Sequence, residues 1–225
     1  MLKLFEISGL KEGRLIKRLN RFTLEVEVEG RVKKANLRDS GRLPELMKEG
    51  NRVLLKEKSG GKTSYVVFTI FDKEVPVIVN SSLHSKLAEK ILISEGYEIL
   101  KREVKVENSR IDFLVKKGDV RLLEVKGCTL VKNRVALFPD APTERGLRHL
   151  TILEKFGGEI LFLVMRSDAE VFSPNFATHK KFAEKLESLS KKIEIRAAKL
   201  NPVVEEGTLK IYHSGYVPVV FKKVI

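Results

Sequence analysis

Residues 109–126 read SRIDFLVKKGDVRLLEVK, and the alternation within them decides the fold. Ile111, Phe113 and Val115 fall on one face of a strand and Asp112 on the other. Lys117-Gly118-Asp119 supplies a three-residue hairpin loop. Centring the hairpin on Gly118 sets Ile111 against Val125, Phe113 against Leu123, Asp112 against Glu124 and Arg110 against Lys126. A slip of one residue would put Ile111 opposite Glu124 and break the apolar face, so the register is well determined.

This register has a chemical consequence. Two carboxylates opposite each other, with Cβ atoms roughly 5 Å apart, repel unless a cation lies between them. Lys126 stands two residues beyond Glu124 on the same face. Two acids and a lysine on adjacent strands can hold a hard divalent ion through oxygen. Such an ion polarises a phosphodiester and acidifies a bound water. The spacing is equally compatible with a solvated ladder of salt bridges among Arg110, Asp112, Glu124 and Lys126.

Outward from the hairpin, the pattern is helix, three strands, helix, strand, helix. Leu83, Leu87, Ala88, Ile91 and Leu92 mark a helical face after Ser81 or Ser82 as N-cap, with Gly96 past its end. Strands are expected near 97–106, 109–116, 120–127 and 159–166, and helices near 143–156 and 178–191. This order implies a mixed α/β domain. Before Asn80 the periodicity is that of strands: Phe22 to Val28, Val53 to Lys56 and Tyr65 to Ile70, separated by Gly30, Gly50 and Gly60-Gly61. Short strands in such a segment suggest an OB-like β-barrel. The expectation is therefore an α+β protein of two domains, a barrel over 1–80 and an α/β domain over 81–225. The β segments of the last thirty residues would complete one of the sheets.

The chain has 225 residues, 43 of them Lys or Arg against 30 Asp or Glu, for a formal charge of +13. A polyanion is the first partner this suggests. Residues 1–80 hold 17 basic and 11 acidic side chains and 81–225 hold 26 and 19, so the barrel is the more densely basic part. Arg14, Lys17, Arg18 and Arg21 interleave with Leu15, Ile16, Leu19 and Phe22. That stretch could follow a phosphate backbone with Phe22 stacking on a base, or could be a charge-protected edge strand. Glutamine is absent and lysine and glutamate dominate, as in hyperthermophile proteins. A single cysteine, Cys128, excludes an internal disulfide and a cysteine-rich zinc site. No apolar run reaches membrane-spanning length, so a soluble, cytoplasmic protein is expected.

Asp112 followed by eleven residues and Glu124-Val-Lys126, inside αβββαβ, resembles the core of PD-(D/E)xK nucleases of restriction-endonuclease-like fold. The runs SRIDFLV, LLEVKGCTLV and ALFPDAPTERGLRHL, with RLIKRLNRFTLEVEV and SGRLPEL in the barrel, resemble the sugar fermentation stimulation protein A (SfsA) family over nearly the whole chain. That family implies an OB-like domain, a nuclease-like domain and DNA binding, with a part in regulating sugar metabolism. By resemblance, Asp112 and Glu124 would be metal ligands for Mg²⁺ or Mn²⁺, and Lys126 would orient the attacking water. Glu89 on the preceding helix is the candidate for a third ligand.

The loop Phe138 to Thr143 leads into a helix that Asp140 or Thr143 can cap. Its first turns carry Arg145, Arg148 and His149, spaced for a shared surface that could receive a phosphate. The sequence departs from the family around Ala35 to Arg42, where relatives carry a histidine, so contacts there fall to Arg38 and Arg42. Two functions compete: a divalent-metal nuclease, and a DNA-binding regulator of sugar-metabolism genes that does not cut. RNA is a further possible ligand of the barrel.

Overall fold

The computed structural model describes residues 1–222; residues 223–225, the end of the expected second domain, lie outside the described residues. Strands β1 (Leu2–Ile7), β2 (Leu10–Asn20), β3 (Thr23–Val28), β4 (Arg31–Asn36), β5 (Arg52–Glu57), β6 (Tyr65–Asp72) and β7 (Val75–Ile78) come first. Helix α1 (His84–Ser94) precedes β8 (Glu98–Val106), β9 (Ser109–Lys117), β10 (Asp119–Cys128), β11 (Val131–Lys132) and β12 (Val135–Phe138). Then follow α2 (Glu144–Phe156), β13 (Gly158–Val164), β14 (Val171–Pro174), α3 (Lys180–Leu189), β15 (Glu194–Glu205) and β16 (Thr208–Tyr216).

The chain groups into two compact units. The first contains Met1–Leu83, Met165–Asp168 and Leu200–Ser214; the second contains His84–Val164, Ala169–Lys199 and the segment from Gly215 on. Residues 165–168 and 200–214, which the sequence reading places in the second domain, thus group with the first. Pairing between β1 and β16, such as Phe5 with Ile211, joins residues two hundred positions apart. Local periodicity carries no mark of such a pairing.

In the first unit β2 pairs antiparallel with β3 and β5, β3 with β4, and β5 with β6. A parallel pairing of β4 with β6, at Ala35–Tyr65 and Asn36–Val66, closes these five strands into an OB-like barrel. Leu15, Leu24, Val26, Ala35, Val53, Leu55, Val67 and Ile70 fill it. Their period-two spacing is the reason charged residues alternate on the outside. The basic stretch lies on β2, which pairs with β5 only over Leu10–Arg14, so from Lys17 to Asn20 it has β3 alone beside it. Leu37, Leu43 and Leu46 of the following loop are also buried in the barrel core.

In the second unit the sheet order is β15-β13-β10-β9-β8. β8, β9 and β10 are antiparallel, whereas β10, β13 and β15 run parallel. The last five of the seven residues in β13 are fully buried, as a strand covered on both faces requires. One face packs Leu122, Ile160, Phe162 and Val164 against Leu150 and Leu153 of α2 and Phe182 and Leu186 of α3. Each such side chain contributes about 1.5–3 kcal/mol on burial. Helix α1 covers β8, β10 and β13 through the buried Leu87, Ala88, Ile91 and Leu92. Parallel and antiparallel strands in one sheet with helices packed on it give the mixed α/β arrangement expected from the element order. A small sheet of β11, β12 and β14, not anticipated from the sequence, flanks it. No described helix is long and apolar enough to cross a membrane.

Candidate active site

The hairpin follows the expected register from Asp119–Lys117 to Leu123–Phe113, turning at Gly118, whose φ of +76° suits glycine. Ile111, Phe113 and Val115 are fully buried, as their alternation requires. The ladder ends one pair before Asp112 and Glu124, so these two are not a backbone-bonded pair as the centred register had them. Instead the amide of Val125 donates to Asp112 Oδ2 at 2.8 Å. The side chain of Asp112 thereby takes the place of a strand carbonyl and is fixed beside Glu124.

Glu124 is 2 % exposed. Its Oε1 accepts from the Lys126 ammonium and lies 2.5 Å from Nδ1 of His149, while its Oε2 is buried with no partner. Burial alone would raise the Glu124 carboxyl, but Lys126 and His149 outweigh it and hold the group below the usual carboxylate range. Asp112 moves the other way: burial, then the neighbouring Glu124, push it up to about 6, against the pull of the Val125 amide, Lys126 and Arg145. The two acids are therefore in different charge states near pH 5. One is a fixed anion, and the other gives up its proton only near neutrality.

His149 is the residue that sequence reasoning placed wrongly in space. Read with Arg145 and Arg148 as surface, its ring is in fact 1 % exposed, on the face of α2 that carries Gly146, Leu150 and Leu153. That apolar stripe was the available signal, because residues 146, 149, 150 and 153 share one helical face. Arg145 Nε donates to His149 Nε2 at 3.4 Å, which extends the chain to Arg145–His149–Glu124–Lys126. Thr143 caps α2, its hydroxyl accepting from the Gly146 amide at 3.0 Å, and Asp140 is not the cap.

Glu89 sits apart from this group. Both its oxygens accept from the Arg102 guanidinium, which lowers its pKa against a small opposing effect of burial. Among the described residues no three His, Cys, Asp or Glu side chains come together as a metal cage. The residues present still fit a hard cation of one kind. Mg²⁺ commonly takes one or two carboxylates and keeps water and substrate oxygens for the rest. The unpartnered Glu124 Oε2 beside Asp112 offers that donor set.

A second histidine, His84 at the start of α1, lies against the strand at Gly127. A Cβ at Gly127 would stand 2.2 Å from His84 Cε1, so only glycine fits. Burial, and next Lys126, lower His84 to about 4, and its Nε2 has no partner.

The barrel candidates are partly committed to structure. Arg18 donates to the carbonyls of Arg21, Gly41 and Arg42, tying the loop after β4 to the β2–β3 turn. Arg14 donates to the Gly50 carbonyl at 3.0 Å and Lys17 pairs with Glu25 at 3.5 Å. Arg21 lies over the ring of Phe22, 5.4 Å from its centroid, and that ring is 47 % exposed. Arg38 reaches Ser82 Oγ at 3.5 Å, and Arg42 is exposed.

Comparison with known proteins follows this division. A family model described as the sugar fermentation stimulation protein RE domain matches residues 76–206, and one described as the SfsA N-terminal OB domain matches 16–79. The sugar fermentation stimulation protein homolog of Methanothermobacter thermautotrophicus is 45 % identical over 194 residues, 80 % of this chain and 81 % of that protein. The homolog of Aquifex aeolicus is 42 % identical over 207 residues, 89 % and 95 % of the two chains. The structure of Pyrococcus furiosus SfsA in complex with Ca²⁺ superimposes with a TM-score of 0.89 at 31 % identity, covering 98 % of this chain and 100 % of that one.

Proposed function

The chain belongs to the sugar fermentation stimulation protein family, and from that membership and the paired carboxylates we propose that it binds DNA and hydrolyses its phosphodiesters with a divalent metal ion, Mg²⁺ or Mn²⁺. The observation that carries the reading is Glu124 Oε2, a buried carboxylate oxygen without a partner next to Asp112. A solitary buried acceptor costs about 1–3 kcal/mol, which a bound ion would remove. The Ca²⁺ in the Pyrococcus furiosus relative supports a hard, oxygen-seeking cation in this family.

Asp112 and Glu124 would hold the ion, which when bound supplies positive charge to a phosphate oxygen and a water of lowered pKa. The chain's own residues do the rest. The Val125 amide fixes the Asp112 carboxylate, and His149 fixes Oε1 of Glu124 so that Oε2 stays directed away from the helix bond. Lys126 carries an ammonium within reach of the same carboxylate. As DNA enters, that ammonium can turn to a phosphate oxygen or to the attacking water, donating a hydrogen bond as negative charge builds on the phosphoryl oxygens. The exposed barrel residues Arg21, Phe22, Arg38 and Arg42 would grip the strand, so affinity should fall steeply with salt.

The test is cleavage of labelled DNA in Mn²⁺, with 5′-phosphate ends expected. Asp112→Asn and Lys126→Ala should each lose about 100-fold or more in rate, the scale of removing a positioned electrostatic group. Equal activity of wild type and variants overturns the reading. Divalent-ion binding by calorimetry without cleavage of single- or double-stranded DNA would leave a non-cutting DNA-binding regulator.

A further inference from the structure

We propose that a basic cleft beside the carboxylates, formed by the β8–β9 turn and the outer face of α2, binds a phosphate group of the DNA strand and so sets where the strand lies over Asp112 and Glu124. The proposal rests on the nuclease reading of those acids but concerns other residues. The cleft has a volume of about 370 Å³ and is lined by Lys105, Asn108, Ser109 and Arg110 from the turn and by Arg145 and Arg148 from α2, with His149 at its floor. Its size suits a phosphate with part of its nucleotide, since ligand pockets run from about 300 to 1,000 Å³.

The charge pattern singles the cleft out. Four cations line it and no carboxylate does. Nearby, Arg102 of β8 pairs with Glu89, and Glu107 beside the turn takes Lys155 of α2. Within the cleft only Arg110 has an acidic partner, Glu103 at 3.3 Å. No ion pair reaches Lys105, Arg145 or Arg148 among the described residues. Holding like charges together without a counterion is unfavourable, and phosphate oxygens accept well from guanidinium groups. Asn108 and Ser109 add neutral donors to the same wall.

The cleft also connects to the carboxylates. Arg145 spends its Nε on His149 Nε2, and His149 spends Nδ1 on Glu124. The remaining guanidinium nitrogens of Arg145 are thus one side chain away from the proposed metal ligand. A phosphate held there would lie along the strand from the one being cut. Its source could be an internal diester or a 5′-terminal monoester, which share the chemistry but differ in what they say about the substrate.

The experiment is DNA binding in EDTA, read by fluorescence anisotropy across a salt series, with 5′-hydroxyl and 5′-phosphorylated oligonucleotides as probes. Lys105→Ala with Arg148→Ala removes two exposed cations of the cleft; Lys181→Ala with Lys191→Ala removes two exposed lysines elsewhere in the same unit. The cleft variant should lower the slope of log K against log salt by about 0.7–0.9, the share of one phosphate contact, and weaken binding about 10-fold or more. An equal fall with both probes assigns the cleft to an internal phosphate. A preference for the 5′-phosphorylated probe that the cleft variant abolishes assigns it to a strand end. An unchanged slope, or the same fall in the control variant, overturns the proposal. Because EDTA abolishes cleavage, binding with a cleft-dependent slope in a chain that never cuts would sink the nuclease reading alone, and normal cutting with an unaltered slope would sink this one alone.

Discussion

Glu124 and His149 lie twenty-five residues apart and meet with Oε1 and Nδ1 2.5 Å from each other, both side chains buried. This contact joins β10 to α2 inside the proposed active site, so the helix that packs the core also sets the direction of the carboxylate proposed to hold the ion. Lys126, on the same oxygen, completes a small charged group that is almost closed to solvent.

Replacing His149 by alanine leaves Glu124 with Lys126 alone and opens space beneath α2. Stability should fall by about 1–3 kcal/mol, the cost of a buried group left short of a partner. DNA cleavage in Mn²⁺ should fall about 10-fold or more, while His149→Gln, which can still donate to Oε1, should recover part of both. Denaturant unfolding and initial cleavage rates measure the two effects, and cleavage within two-fold of wild type would show that the bond is not used in the reaction.

Asp112 makes metal-free stability depend on pH. Its carboxyl titrates at about 6 in the folded chain against an ordinary 3.8, so between those values the folded state holds more protons than the unfolded one. Stability attributable to this group is present below about pH 4 and is lost as pH rises through 6. In EDTA, Asp112→Asn should therefore be more stable than wild type by roughly 3 kcal/mol at pH 7 and little different near pH 3.5. Guanidinium unfolding of both proteins at the two pH values tests the sign. With divalent ion present, the advantage of the variant at pH 7 should shrink or reverse.

Gly127→Ala forces a methyl group into the ring of His84. Overpacking of this kind costs about 1–3 kcal/mol, and His84→Ala in the same chain should return most of it. A double-mutant cycle in which the two losses simply add would show that the close approach is not what constrains position 127.

Glu89 has its oxygens on Arg102, so Glu89→Gln should leave divalent-ion affinity within about two-fold, whereas Asp112→Asn should lose 10-fold or more, as loss of a ligand or its support does. Calorimetric titration with Mn²⁺ separates these. A large loss in Glu89→Gln would mean that the Arg102 pair opens when the ion binds.

The alternation of Ile111, Phe113 and Val115 and the turn at Gly118 made the central hairpin legible in the sequence, and with it the neighbourhood of Asp112, Glu124 and Lys126. The helix start at Thr143 was legible for the same local reason, a cap residue ahead of an apolar stripe. Ser81 and Ser82, expected to cap the first helix, instead lie in a 3-10 turn before α1 begins at His84 and bond Arg38 and Asn80. His149 was misread because charge was weighed above helical face, although Gly146, Leu150 and Leu153 mark its side as buried. The end of the β9–β10 ladder at Phe113, the capture of the Val125 amide by Asp112, and the ties from Arg18 to Gly41 and Arg42 were not legible. Each depends on two segments meeting in three dimensions, and nothing in either segment names its partner.

The order in which the chain is made gives the pairing of β1 with β16 a temporal meaning. Strands β2 to β6 lie within residues 10–72 and close on one another, so a barrel can form while most of the protein is still unsynthesised. Leu2 to Ile7 cannot settle until Leu209 to His213 have emerged. A strand made early is thus placed only after a segment some two hundred residues later has been made.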